Sequence, residues 1–431
     1  MLKNNITIED KPLLLLFIIS FFNKWLILLM LVYLCYKALN DIKYSIEGLL
    51  LISFRTIIGL NIAVDIGGIQ LFKWIAIFAL STLIFINSKN KCQDYSLRLL
   101  ILLFSLYIFA ISIINSTYPL VSIFKCLSYI YVFTAVLQGV IETKDKINWF
   151  EKLYLYMTII FISSFFSIPF SFAYYSSAHW FAGVTNQSNM FGILAGLYIG
   201  IILTKVLNKQ SNIFDLFMFV ITIVMEWMSN SRTGMLSILI SIIIYLFICI
   251  FKKQKFHYLV IGFLVLCLIL TSNIGEILLE KIYTFIFKSD SIYEIQSLNA
   301  SDVFSSRAGQ LSNFIEKFNN NWLIGSGFCV PFIKNYTSWQ FSFNLIVEPG
   351  NIVYAVLGDL GLIGFLLWIF LYGYIFLKSY KFENICLFIA PFTICLGEMV
   401  FFSTNNIAII LYVMIAIYYT RNNNYLHEKR L

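Results

Sequence analysis

Residues 233–255 read TGMLSILISIIIYLFICIFKKQK. The run from Thr233 to Phe251 carries no charge, and Lys252, Lys253 and Lys255 follow it directly. A hydrocarbon slab about 30 Å thick takes roughly 20 apolar residues in a helix, so the run is long enough to cross it. Backbone polar groups cannot stay unpaired in lipid, and the run lacks the alternation of a barrel strand, which leaves a helix. The lysines mark the end that stays in the cytoplasm.

The same pattern recurs near 13–36, 46–64, 69–86, 97–115, 119–141, 153–174, 188–207, 213–230, 257–273, 351–377, 385–400 and 404–419. The expected fold class is therefore all-α: a polytopic transmembrane helix bundle of about 12–14 helices with one large periplasmic loop containing amphipathic helices. Asn23-Lys24 interrupts the first span and offers the tip of a hairpin, which would add a helix. Composition agrees, since 60% of the 431 residues are hydrophobic and 12% charged, where a soluble domain carries roughly 25% charged residues.

If the connector Lys252-Lys253-Gln254-Lys255 is cytoplasmic, alternation puts Lys37, Lys43, Lys89, Lys91, Arg98, Lys144, Lys146, Lys152, Lys205, Lys209, Lys378, Lys381, Arg421, Lys429 and Arg430 on the same side. The short opposite loops are nearly empty of basic residues, as the positive-inside rule requires. The expectation is a multi-pass protein of the bacterial inner membrane with a cytoplasmic C-terminus. Its three parts are N-terminal transmembrane helices (1–273), a large periplasmic loop (274–350), and C-terminal transmembrane helices with a short tail (351–431). Within the loop, Glu276 to Lys288 reads as an amphipathic helix, and Phe304, Ala308, Leu311, Ile315 and Phe318 recur at helical spacing in a second.

The net charge of +8 comes from clusters between apolar spans and not from one basic face, so membrane lipids and not nucleic acid are the expected contact. Cys35, Cys126, Cys249, Cys267, Cys386 and Cys395 fall in apolar runs, Cys92 in a basic connector and only Cys329 in the large loop, a pattern that implies no disulfide framework. His179, His257 and His427 lack metal-ligand spacing, so neither a metal nor a cofactor is expected. The N-terminal apolar run starting at Leu13 lacks a small-x-small cleavage site and reads as a retained anchor.

Charges inside or at the rim of membrane helices are costly and mark function by default. Glu226, Arg232, Asp359 and Glu398 are such charges, and several gather toward the outer side. Glu398 taken alone also fits a rim charge that snorkels to water. Arg232 has more telling company in Ser229-Asn230-Ser231-Arg232-Thr233-Gly234, a polar turn whose hydroxyls and amides can help an arginine hold an anion. His179-Trp180-Phe181, with Tyr174 and Tyr175, either stack on sugar faces or form an interfacial aromatic belt.

Ser231-Arg232-Thr233-Gly234 resembles the SRxG signature of the O-antigen polymerase and O-antigen ligase superfamily, the Wzy and WaaL type. Four further stretches fall in that family's order. Gly183-Val184-Thr185-Asn186-Gln187-Ser188-Asn189 resembles a G…(P/Q)xN turn that opens a helix. Ser306-Arg307 resembles its second arginine, and Trp322-Leu323-Ile324-Gly325-Ser326-Gly327-Phe328 its xxGxGF element. Asn351 through Gly358-Asp359-Leu360-Gly361-Leu362-Ile363-Gly364 resembles its N…(E/D)xGLxG helix start. Ligases of the superfamily usually carry a histidine just before the asparagine of the last motif, where this chain reads Val347-Glu348-Pro349-Gly350-Asn351.

The resemblance implies a glycosyltransferase that polymerises undecaprenyl-diphosphate-linked oligosaccharide repeat units at the periplasmic face into O-antigen or a related surface polysaccharide. A chain-length regulator and a flippase are its implied partners. The missing histidine favours polymerase over ligase; a polysaccharide flippase or transporter is the reading from a different class. The residues expected to carry the chemistry are Arg232 and Arg307, as bidentate clamps on the departing diphosphate, and Glu348 as general base. Glu348-Pro349-Gly350 also reads as a plain turn. Asn189, Ser231, Asn351, Asp359 and His179 are the expected substrate-binding residues, with helix capping the alternative for the two asparagines.

Overall fold

The computed structural model describes residues 11–66, 69–88, 94–175, 180–253, 308–330 and 350–421. Among them are fourteen α-helices and no β-strand. Six helices are long and apolar enough to cross a membrane: α4 (Gln70–Asn87), α5 (Tyr95–Ile114), α6 (Pro119–Thr143), α8 (Ser188–Leu207), α10 (Arg232–Lys253) and α12 (Ile352–Lys378). The chain is thus a multi-pass helical membrane bundle. α8 is buried along almost its whole length, as is α14 (Ala408–Thr420), the last helix among the described residues, so these two form the centre around which the others pack.

The 13–36 stretch is not one span. It is a hairpin of α1 (Lys11–Ile19) and α2 (Lys24–Ala38), and the Asn23 side chain accepts the Trp25 N–H at 2.9 Å to start the second helix. An asparagine cap is a local signal that overrides the continuous hydropathy. The hairpin tip is held by Arg55, at the end of α3 (Ile42–Ile57), whose guanidinium donates to the carbonyls of Ser20 (3.2 Å) and Val64 (2.6 Å).

Near the C-terminus the structure departs from two plain spans. α13 (Ile385–Cys395) and α14 have 11 and 13 residues, about 16 and 20 Å of helix, too short for the slab alone. The connection 396–407 is irregular, yet Met399, Phe401, Phe402, Thr404 and Ile407 in it are buried. Non-helical backbone at this depth survives only where protein covers it. Here the cover includes the Ser53 hydroxyl, which donates to the Asn406 carbonyl, and Lys73, whose ammonium donates to the Asn405 carbonyl at 3.0 Å.

α12 is broken at Gly361, which has φ 65° and ψ −170° inside an otherwise helical run. A break exposes carbonyls and N–H groups that lipid cannot satisfy. The loop 322–329 satisfies them: Leu362 and Ile363 donate to the carbonyls of Trp322 (2.9 Å) and Leu323 (3.1 Å), while Ser326 and Gly327 donate to the Asp359 carbonyl at 3.0 Å each. The Tyr107 hydroxyl, from α5, donates to the Leu360 carbonyl at 2.8 Å. A Cβ at Gly361 would meet the Gly325 nitrogen and the Leu323 carbonyl, so the backbones touch without side chains between them.

α11 (Ala308–Asn320) packs on α12 through Phe314, which is buried against Gly358. Ile315, expected on the covered stripe, is 47% exposed. The packed face instead carries Phe314 and Lys317, whose ammonium donates to Asp359 at 2.8 Å. The amphipathic segment 276–288, the first turn of the 303–318 pattern, the end of the 252–255 connector and the C-terminal tail lie outside the described residues.

Candidate functional site

α9 (Ile213–Ser229) ends where Asn230 takes a left-handed conformation, φ 54°, and α10 begins at Arg232. The Ser229 hydroxyl donates to Glu226 Oε2 at 3.0 Å, and Ser231 Oγ accepts the Gly234 N–H at 3.3 Å, capping α10. Gly192 of α8 lies so close that a methyl there would collide with Ser231 and with the buried carboxylate of Glu226. A methyl on Gly234 would strike Glu226 and the Gly192 carbonyl. Small residues at a membrane-helix crossing let backbones approach in this way. Ser231 is 1% exposed and spends its oxygen on the cap; what it does for the site is to fix half-buried Arg232 at the first position of α10.

Three helix starts converge on the irregular segment that follows α13. Asn351 caps α12, its Oδ1 accepting from Val353 (2.9 Å) and Tyr354 (3.3 Å), and its Nδ2 donates to the Leu396 carbonyl at 2.9 Å. Gly397 lies against Thr233, one residue beyond Arg232. Asn189, in the first turn of α8, donates to Glu398 Oε1 at 3.3 Å. The turn that leads to Asn189 is pinned to the end of α3: Asn186 donates to the Ile57 carbonyl at 2.9 Å and Gly59 to the Val184 carbonyl at 3.0 Å. The starts of α8, α10 and α12 thus surround Leu396-Gly397-Glu398. Each brings the partial positive charge of a helix N-terminus, and Arg232 adds a full one, so the place favours an anion.

Asp359 is buried and fully engaged. Lys317 pairs with its Oδ1 at 2.8 Å and the Cys329 N–H donates to its Oδ2 at 2.9 Å, besides the two donors on its backbone carbonyl. It ties the glycine-rich loop to the helix break and lies about two helical turns, roughly 12 Å, from the Asn351 end of α12. Of the expected site residues, the structure therefore gathers Asn189, Ser231, Arg232 and Asn351 and keeps Asp359 apart as an anchor. Arg307, Glu348 and His179 lie outside the described residues.

Glu398 joins this group although its sequence context allowed a snorkelling rim charge as readily as a functional one. The available signal was its place after Gly397, in a polar interruption of an apolar run. Lys317, the partner of Asp359, carried no signal beyond its place on an amphipathic helix.

Residues 217–369 match a family model described as O-antigen ligase. Over that stretch, about a third of the 431 residues, the chain is similar to the O-antigen polymerase and ligase superfamily. No curated protein matches the chain. Proteins of that superfamily are glycosyltransferase-like enzymes acting on lipid-linked glycans. The match runs from Phe217 in α9 to Ile369 in α12 and takes in the Ser229–Gly234 turn, the glycine loop and Asn351. Asn189 and Glu398 are brought to it by the fold from outside the matched stretch.

Proposed function

We propose that this protein is a polymerase of lipid-linked oligosaccharide repeat units, working at the periplasmic face of the bacterial inner membrane. The observation that carries the proposal is the convergence of the starts of α8, α10 and α12, with Arg232, on Glu398. The substrate's leaving group is a diphosphate on a polyprenyl anchor, so its charge develops at a membrane rim, where the three helix starts and Arg232 favour it. The hydroxyl of the acceptor, a sugar on the next carrier-linked repeat unit, attacks the anomeric carbon of the growing glycan. The new C–O bond forms as the bond to the diphosphate breaks. The hydroxyl proton passes to a carboxylate, and the electron pair leaves with the carrier diphosphate.

Glu398 is half-buried with one oxygen on Asn189, and so is suited to take that proton. Glu348 is the other nominee, from its place beside Asn351, and Arg307 the second phosphate ligand. Asn189 and Asn351 orient sugar hydroxyls.

The family model's description favours a second reading, transfer of finished glycan to the lipid A core. The absence of a histidine before Asn351 speaks against it. Glycan analysis of a deletion strain separates the two. A polymerase defect leaves a single capped repeat on the lipid A core; a ligase defect leaves that core bare, with polymer retained on the carrier. Loss of all flipping of carrier-linked units would point instead to a transporter.

A further inference from the structure

Beside the reaction site lies a cavity of about 440 Å³ between the segment 55–66, the start of α4 and the segment 172–187. Its lining is unlike the apolar interior elsewhere. Asn61, Gln70, Thr185 and Asn186 give it amides and a hydroxyl, and Phe172, Tyr174 and Tyr175 form one edge. Gln70 Oε1 and Asn186 Oδ1 are buried without a hydrogen-bond partner, an acceptor capacity that the protein itself leaves unmet. Tyr175 is 44% exposed and Phe172 39%, whereas Phe181 is fully buried under Tyr174. The aromatic cluster therefore divides into a packed half and a half that faces outward at the cavity.

Charge decides the class of ligand. Among the described lining residues Arg55 is the one cation and Asp65 the one carboxylate, and they lie within electrostatic reach of each other. Arg55 donates to two backbone carbonyls through Nη2, its Nε is buried without a partner, and its charge is opposed by Asp65. An anion thus gains no net attraction, and uncommitted amide oxygens accept hydrogen bonds only from a ligand that donates them. A pyranose offers hydroxyls that donate and accept, and an apolar face for an aromatic edge.

The position agrees with this. Gly183, Thr185, Asn186 and Gln187 line the cavity, and Asn189 of the same turn contacts Glu398. Gln187 is the cap of α8 and Asn189 stands two positions on, closer than the about 7 Å that two fully extended residues would span, so a sugar seated here is continuous with one at the reaction site.

We propose that this cavity is a subsite for an uncharged sugar unit of a glycan chain whose neighbouring unit lies at Glu398. The assignment rests on the glycan-joining function proposed above. Its test does not use that activity. Purified wild-type protein in detergent is titrated with neutral oligosaccharides, released by partial hydrolysis from the producing strain's own surface polysaccharide and fluorescently labelled. Wild-type protein is expected to bind them. Gln70→Leu combined with Asn186→Leu is expected to weaken binding about tenfold or more, as loss of one to two hydrogen bonds does. Tyr175→Ala removes a half-exposed ring outside the core and is expected to weaken binding with an unchanged melting temperature. Inorganic diphosphate is expected not to compete. No binding by the wild type, equal binding by Tyr175→Ala and by the double variant, or displacement by diphosphate would overturn the subsite. If binding fails while the deletion strain still shows single-repeat glycan, the subsite falls and the polymerase stands; a ligase-type ladder with intact binding gives the reverse.

Discussion

Asn189 donates its side-chain amide to Oε1 of Glu398 across 3.3 Å, although 209 positions separate them in the chain. The contact joins the first turn of α8 to a buried, irregular segment and puts a carboxylate within one residue of the Gly397–Thr233 approach. It fixes where the carboxylate of the candidate site stands.

Glu398→Gln keeps the shape and the contact with Asn189 while removing the proton acceptor. If Glu398 is the general base, polymer synthesis falls by roughly 10²- to 10⁴-fold, the usual worth of such a group. Asn189→Ala should cost less, since it loosens the carboxylate without removing it. Glycan ladders from strains with matched membrane levels report both. An unchanged ladder for Glu398→Gln returns it to the role of a rim charge and leaves Glu348 as nominee.

Arg232→Ala should shorten or abolish polymer while the protein still inserts. Loss of one charge-stabilising contact in a catalytic site costs about 10² to 10³ in rate, and loss of a solvated rim charge almost nothing. Arg232→Lys should rescue poorly, because the cap on Ser231 fixes where the side chain starts and a lysine lacks the planar fork. A normal ladder for Arg232→Ala removes this residue from the mechanism.

Asp359→Ala takes the carboxylate from part-buried Lys317, which keeps the Val330 carbonyl, and from the Cys329 N–H; breaking a fully buried pair from one side costs roughly 3–5 kcal/mol, an upper bound here. Gly361→Ala forces a side chain into the glycine-only backbone region and against Gly325; strain and overpacking each cost about 1–3 kcal/mol. Both should lower the melting temperature in detergent and the membrane level, with activity falling in proportion to folded protein. A stable, fully folded Asp359→Ala protein that makes no polymer would show instead that this carboxylate touches substrate.

At the far end of the bundle, Asp94 precedes α5 and accepts hydrogen bonds from Tyr374 and Tyr419, each at 2.8 Å, with Lys378 nearby. Burial pushes its carboxyl up, but the hydrogen bonds from Tyr419, Tyr374 and the Leu97 N–H, with Lys378, hold it below the usual carboxylate range. A depressed folded value means the stabilisation is present above the unfolded carboxylate's titration and is lost as pH falls through the folded one. Asp94→Asn should therefore lower stability at neutral pH and flatten the loss of stability on acidification, as measured by thermal unfolding between pH 7 and pH 3. A parallel acid profile for both proteins would show that other carboxylates carry it.

Reporter fusions after Lys255 and within Asn319–Asn321 should give opposite signals, cytoplasmic and periplasmic. Matching signals would overturn the orientation on which the proposed chemistry depends.

The sequence by itself determined the helical membrane architecture and the polar turn at Ser229–Gly234, because crossing lipid demands only local apolar length and a turn only local residue types. The Asn23 hairpin was legible for the same reason, as an interruption with a capping residue. Which motif does what was decided by tertiary structure alone. The GxGF and GLxG stretches proved to be the two halves of one repair, Gly325 against Gly361, because a helix broken inside a bundle must borrow hydrogen bonds from somewhere else in the chain. Asp359 was drawn into that repair, while Glu398 was drawn to Asn189. Helices that are apolar on nearly every side carry little pattern to say which face meets which neighbour. The small residues that let α8 and α10 touch, Gly192 and Gly234, act only once their backbones are side by side.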